Sequence, residues 1–156
     1  MKAIIQRVSS ASVKVDGEII SSIGKGLCVL VGIHRTDTRK ELEYIAKKIL
    51  STRIFDDPNT GKRWDKSVKD SDLEVLCVSQ FTLYHILKGN KLDFHLAMSG
   101  DAAKNMYFDL LSELRKGHSE EKIKDGQFGA MMEVNIANDG PVTIELESLS
   151  QNTGKD

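Results

Sequence analysis

Hydrophobic and polar positions alternate early in the chain. Val13 and Val15 are separated by Lys14 and followed by Asp16-Gly17. A period of two predicts a half-buried strand. Asp-Gly after such a run predicts a tight hairpin, because both residues tolerate positive φ. Glu18-Ile19-Ile20 restarts an extended segment, punctuated by Gly24 and Gly26. Leu27–Ile33 is continuously apolar and short, the pattern of a strand buried on both faces.

The period then changes. Leu42, Ile45, Ala46 and Ile49 fall at i, i+3, i+4 and i+7, one apolar stripe of a helix. Thr38 and Glu41 form a capping box at its start. Residues 56–72 are polar and turn-rich, and hold the single tryptophan, Trp64. An indole in such a loop is expected to be a packing anchor for it, a contact to a partner or ligand being the alternative. Leu73–Val78 is a second buried strand, ending in Ser79-Gln80-Phe81-Thr82, and His85–Asp93 is expected to be a polar loop.

A second helix is expected to start near Asp101 as its cap, with Ala103, Met106, Tyr107, Leu110, Leu111 and Leu114 as its stripe and Gly117 just past its end. Alternation returns in Met132, Val134, Ile136 and again in Ile144, Leu146. Between these two runs, Asn138-Asp139-Gly140-Pro141 predicts a turn. Residues 148–156 are polar and expected to fray. The order of elements predicts a single α+β domain, with a mixed or antiparallel, barrel-like sheet and two main helices.

Composition narrows the function classes. The chain has 156 residues, 40% hydrophobic and 29% charged, which suits one globular domain. Twenty-two basic and 23 acidic residues leave a formal charge of −1, so no strongly basic nucleic-acid coat is present. Cys28 and Cys77 lie within apolar runs and read as reduced core thiols, not a disulfide framework. No run approaches the ~20 apolar residues of a membrane span, and the N-terminus does not read as a signal peptide. A cytoplasmic protein is expected.

Familiar catalytic signatures are missing. The sequence has no P-loop, G-x-G-x-x-G, H-E-x-x-H or G-x-S-x-G pattern. His34, His85, His95 and His118 are scattered, so neither a metal nor a cofactor is expected. Three features can carry chemistry. Ser79-Gln80-Phe81-Thr82 ends a buried strand. Its hydroxyls can simply bond the turning chain, or its successive N–H groups can form an oxyanion hole. Gly140-Pro141 reads as a trans turn on base rate. A cis bond would instead aim two carbonyls the same way, able to grip an ammonium group. Arg7 lies within an apolar strand; it either snorkels or points inward and needs carbonyl acceptors.

These segments together resemble one family. MKAIIQRVSSASV, Ser79–Leu83, Lys88-Gly89-Asn90-Lys91 with Phe94, Gly126-Gln127-Phe128-Gly129 with Met132, and Asn138-Asp139-Gly140-Pro141-Val142-Thr143 are similar to the D-aminoacyl-tRNA deacylases of the D-tyrosyl-tRNA deacylase type. The match covers residues 1–149, leaving 150–156 as a polar tail, and its wording is eukaryotic-like. One departure is Leu92, where the family usually carries Pro, implying a looser loop.

The resemblance implies hydrolysis of the ester that joins a D-amino acid to the 3′ end of tRNA. It implies a barrel-like α+β fold and a homodimer with a site at each interface. Ser79, Gln80, Phe81 and Thr82 of one protomer would face Gly140 and Pro141 of the other. The Gly-Pro bond would be cis and act as the chiral filter, held by Arg7. Phe94, Phe128, Met132 and Asn138 would bind substrate. Catalysis would use a backbone oxyanion hole with help from the ribose 2′-OH, Thr82 as nucleophile being the competing mechanism. Glycyl-tRNA, lacking a side chain to exclude, would also be cleaved. Other classes consistent with the sequence are a non-catalytic nucleic-acid-binding dimer, a structural dimer with a vestigial site, and a hydrolase of small D-amino-acid esters.

Overall fold

The computed structural model describes residues 1–148; the tail expected at 150–156 lies outside them. β1 (Lys2–Val15) turns into β2 (Glu18–Ile23). Asp16 and Gly17 both take positive φ, +50° and +81°, as a two-residue hairpin requires. β3 (Gly26–Gly32) follows, then α1 (Arg39–Ser51), started by the reciprocal Thr38–Glu41 box. β4 (Glu74–Ser79) leads into a short 3₁₀ turn, Phe81–Leu83. β5 (Ile86–Lys88) and β6 (Lys91–Asp93) precede α2 (Gly100–Gly117), β7 (Ile123–Asp125) and β8 (Glu133–Glu147).

The main sheet runs β2-β1-β3-β4-β7, with β8 also paired to β1. β1 is antiparallel to β2, β3 and β8, whereas β3-β4 and β4-β7 are parallel. The two ends of this order approach each other: Lys124 on β7 donates to the Ser22 carbonyl on β2 at 3.1 Å. The result is the expected mixed α+β domain with a nearly closed, barrel-like sheet.

Each face of the sheet buries its own core. Val29 and Val31 of β3, Val75 and Cys77 of β4, and the stripes of both helices form one cluster. Cys28, Leu76 and Val78 point the other way, joining Val8, Ala11, Val13 and Ile23. Continuous apolar runs in β3 and β4 are therefore explained by burial on both faces. Among the described residues, no helix is long and apolar enough to cross a membrane.

Four local expectations are corrected. Residues 86–93 are not a plain loop but the β5–β6 hairpin, with Gly89 at φ +63° in the connection and Leu92 in regular cross-strand register with Leu87. Ser99, not Asp101, occupies the N-cap position of α2, and Gly117 is its last helical residue; a Cβ at Gly117 would come 2.7 Å from Leu50 Cδ1, so glycine serves helix–helix approach there. Trp64 is 54% exposed and is not a buried anchor; Phe55 and Val68 fill that role. Ser148 is not frayed: it is buried, and its Oγ accepts a 2.7 Å hydrogen bond from the Met1 ammonium.

The fifth correction concerns Asn138–Pro141. The chain does not turn back there. β8 pairs with β1 on both sides, Val8 opposite Asn138 and Gln6 opposite Thr143. Residues 139–142 thus bulge out against Arg7 alone. Proline has no N–H to give the ladder, so a bulge is where a sheet can hold it.

Candidate active site

Where β4 ends, the backbone is guided onto β3: the Gln80 N–H donates to the Val31 carbonyl at 2.7 Å. The 3₁₀ turn closes with Leu83 N–H to Gln80 O, 3.2 Å, and Tyr84 N–H to Phe81 O, 3.0 Å. Gly32 lets this turn sit close; a Cβ there would lie 2.8 Å from Leu83 Cβ. The start of such a turn leaves N–H groups without internal acceptors. Among the described residues, the N–H groups of Phe81 and Thr82 have no hydrogen-bond partner.

A cleft of about 620 Å³ opens beside this turn. It gathers Ser79, Gln80 and Phe81 with Phe94, Phe128 and Met132, six residues singled out from sequence. Phe81 and Phe94 meet edge to face, centroids 5.1 Å apart, and Phe128 leans on Tyr107 at 5.5 Å. The Gln127 N–H donates to Met132 Sδ at 3.4 Å, fixing that side chain at the rim. Sequence reasoning missed Ala97, Met98 and Ser99, which lead into α2, and Met131, which is 92% exposed. Backbone bonds between the loop before α2 and the segment after β3, Met98 N–H to Ile33 O at 2.9 Å and Arg35 N–H to Leu96 O at 2.8 Å, bring the first three here. Among the described residues, no acidic, basic, thiol or phenol side chain lines the cleft.

Thr82 does not line the cleft through its side chain. Its Oγ1 accepts a 2.6 Å hydrogen bond from Gln80 Nε2. The nearest imidazole, His85, contacts the Thr82 carbonyl oxygen through Nδ1 at 2.8 Å, not the hydroxyl. Asp93 and His95 are paired beside Phe94; that hydrogen bond holds the Asp93 carboxyl well below the usual range. Neither buried thiol is activated. Burial pushes Cys28 up to about 11 and Cys77 higher still. No group of three or more potential metal ligands occurs among the described residues.

Arg7, Asn138, Gly140 and Pro141 form a second constellation at the β8 bulge, outside the cleft of the same chain. The Gly140-Pro141 bond is cis. Arg7 points inward and finds carbonyl acceptors: Nε donates to Asp139 O at 3.2 Å and Nη1 to Ile54 O at 2.7 Å. Asn138 staples the bulge from within. Its Oδ1 accepts from Val142 N–H and its Nδ2 donates to Thr143 Oγ1, each at 3.0 Å. Gly140 and Pro141 stay exposed at the tip.

The D-Tyr-tRNA(Tyr) deacylase family model matches residues 4–147. The chain belongs to that family. It is 60% identical over 148 residues to D-aminoacyl-tRNA deacylase 1 of Bos taurus, covering 95% of this chain and 70% of the relative. It is 59% identical to D-aminoacyl-tRNA deacylase of Drosophila melanogaster, covering 97% of this chain and 94% of the relative. Among solved structures, the c-Myc DNA Unwinding Element Binding Protein superposes with a TM-score of 0.92 at 59% identity, over 96% of this chain and 100% of that one. A second, described as a probable eukaryotic D-amino acid tRNA deacylase, shares the deacylase fold at TM-score 0.82 and 18% identity, over 94% of this chain and 98% of that one.

Proposed function

We propose that this protein hydrolyses the ester of D-aminoacyl-tRNAs, releasing the D-amino acid and the tRNA, and does so in the cytoplasm as a homodimer. The observation that carries the reading is the pair of Phe81 and Thr82 N–H groups, unpartnered among the described residues, beside an apolar cleft that no titratable described residue lines. Two such donors suit the oxyanion that develops as water attacks an ester carbonyl. A cleft without a side-chain base among the described residues suits a substrate that brings its own proton relay: the ribose 2′-OH beside the ester takes the attacking water's proton as it passes its own to the departing 3′-oxygen. Proximity then supplies much of the acceleration.

The aromatic walls suit the terminal adenosine, since unpaired bases are held by stacking on such rings. Phe81, Phe94 and Phe128 offer the faces and Met132 the rim. The cleft of one protomer does not include its own Gly140 and Pro141, so a second copy would bring its bulge to close the site. Exposed Met131 and half-buried Val134 and Ile136 give the apolar surface for that contact. The Gly140 and Pro141 carbonyls would meet the substrate ammonium. An L-side chain would strike them, and a D-side chain would point away. Glycine has nothing to exclude, so glycyl-tRNA is cleaved as a by-product. Asn138 contributes by holding the bulge.

The test is loss of ester from D-tyrosyl-tRNA and L-tyrosyl-tRNA under identical conditions. Rapid loss of the D-ester alone supports the reading; equal stability of both overturns it. A second reading, a nucleic-acid-binding dimer without catalysis, is favoured by the likeness to the c-Myc DNA Unwinding Element Binding Protein. Duplex DNA binding without turnover of any aminoacyl ester would select it.

A further inference from the structure

Trp64 is the one tryptophan of the chain, and it is costly where it stands. Its backbone takes φ +56°, a region a bulky side chain seldom occupies, and its indole is 54% exposed. The loop holds it there firmly. Asp65 N–H and Lys66 N–H both donate to Phe55 O, at 3.0 and 2.9 Å, and Phe55 N–H returns a bond to Lys66 O at 2.9 Å. Lys62 and Lys66 pair with the Asp65 carboxylate at 3.2 and 3.5 Å.

That pinned indole faces Arg7. The guanidinium carbon lies 5.8 Å from the ring centroid, within cation–π range. The same guanidinium donates to Ile54 O on the loop side and to Asp139 O on the bulge side. It also pairs with Asp139 Oδ2 at 3.3 Å. Its Nη2 lies 3.2 Å from where a Cβ on Gly140 would stand. The guanidinium is thus tied to the loop and to the bulge at once, and the Trp64 ring lies against it as a further contact. A planar, weakly hydrated guanidinium stacks readily on an aromatic face while its N–H groups keep their acceptors.

We propose that Trp64 is a positioning residue for the Gly140-Pro141 bulge. It acts through Arg7 and sets how strictly the bulge discriminates D- from L-aminoacyl esters. This rests on the chiral-filter reading above, and the experiment separates the two. Trp64→Gly removes the indole and relieves the left-handed backbone, so the variant folds. Trp64→Phe keeps an aromatic face. For each, kcat/KM is measured on D- and L-tyrosyl-tRNA, and amide exchange of residues 138–142 is followed by mass spectrometry.

Trp64→Gly lowers the D-to-L ratio by about tenfold, the scale of one partly covered cation–π contact. It speeds exchange at 138–142, and Trp64→Phe recovers both. On an Arg7→Ala background, Trp64→Gly adds nothing further. Unchanged exchange at 138–142 in Trp64→Gly overturns the positioning role, whatever the enzyme cleaves. An equal loss on both esters with faster exchange throughout the chain also overturns it, as a general stability effect. A parent protein without D-selectivity instead removes the filter reading, and with it the specificity half of the proposal, while the exchange data still decide the contact.

Discussion

Gln80 Nε2 donates to Thr82 Oγ1 at 2.6 Å, and this bond decides what the threonine can do. A nucleophilic hydroxyl needs a base within hydrogen-bond reach. The primary amide of Gln80 is not a base, and His85 engages the Thr82 carbonyl instead. Thr82 is better suited to offer its N–H than its oxygen. Thr82→Ala keeps that N–H, so D-tyrosyl-tRNA turnover falls by less than about tenfold, whereas deleting a covalent nucleophile costs orders of magnitude more. Single-turnover rates distinguish the two, and trapping of an aminoacylated protein would favour the covalent route.

Gly140 lies where a side chain has no room. A Cβ there would approach Val142 Cγ2 to 2.8 Å and Arg7 Nη2 to 3.2 Å, at φ +130°. Gly140→Ala therefore costs about 2 kcal/mol in backbone strain, read as a lower melting temperature. It also displaces the Arg7 guanidinium, so selectivity between D- and L-esters drops. Unchanged melting and unchanged selectivity together would refute this account of the bulge.

Much of the fold is legible in the sequence because its signals are local. The Asp16-Gly17 turn, the Thr38–Glu41 box and the two-faced burial of β3 each rest on residues a few positions apart. The cleft is less legible. Ser79–Phe81, Phe94, Phe128 and Met132 lie far apart in the chain and were joined by resemblance, not by periodicity. Asn138–Pro141 reads as a turn in sequence and is a bulge in the fold, for a physical reason. Its composition suits a turn, but β1 is long enough to pair β8 on both sides of the interruption, so a bulge replaces the reversal. The place of Trp64 is not legible because nothing local announces that Arg7, 57 positions earlier, lies over its ring.

The two cysteines provide a check on the core. Both are fully buried, and burial moves Cys28 from 9.0 to about 11. A raised thiol pKa means that the unfolded chain releases its proton first. Stability is therefore fully present below the unfolded value of about 9 and is lost as pH climbs from 9.0 toward 11. Cys77, shifted further by burial and by Cys28 nearby, extends the same trend. Urea midpoints fall across that interval, and replacing both cysteines by Ala flattens the slope. A thiol reagent at neutral pH leaves the native chain unmodified and labels two sites per chain after unfolding.

The pH profile of the reaction tests the proposed chemistry. A side-chain general base imposes an acid limb at its own pKa, and among the described residues no group that could do so lines the cleft. With the ribose 2′-OH assisting, the rate instead rises smoothly with pH, because the fraction of substrate ready to yield that proton grows. The expected log(kcat) for D-tyrosyl-tRNA thus climbs without a plateau between about pH 6 and pH 8. Substrate ending in 2′-deoxyadenosine loses most of this rate while still competing for binding. An acid limb that levels off near neutrality would assign the base to a side chain, whereas a fall in rate above about pH 8 tracks the substrate's own ammonium. The candidates are then His34, His85, His95 and His118, tested by replacing each in turn with Gln. Retention of full rate on the deoxy substrate would remove the 2′-OH from the mechanism altogether.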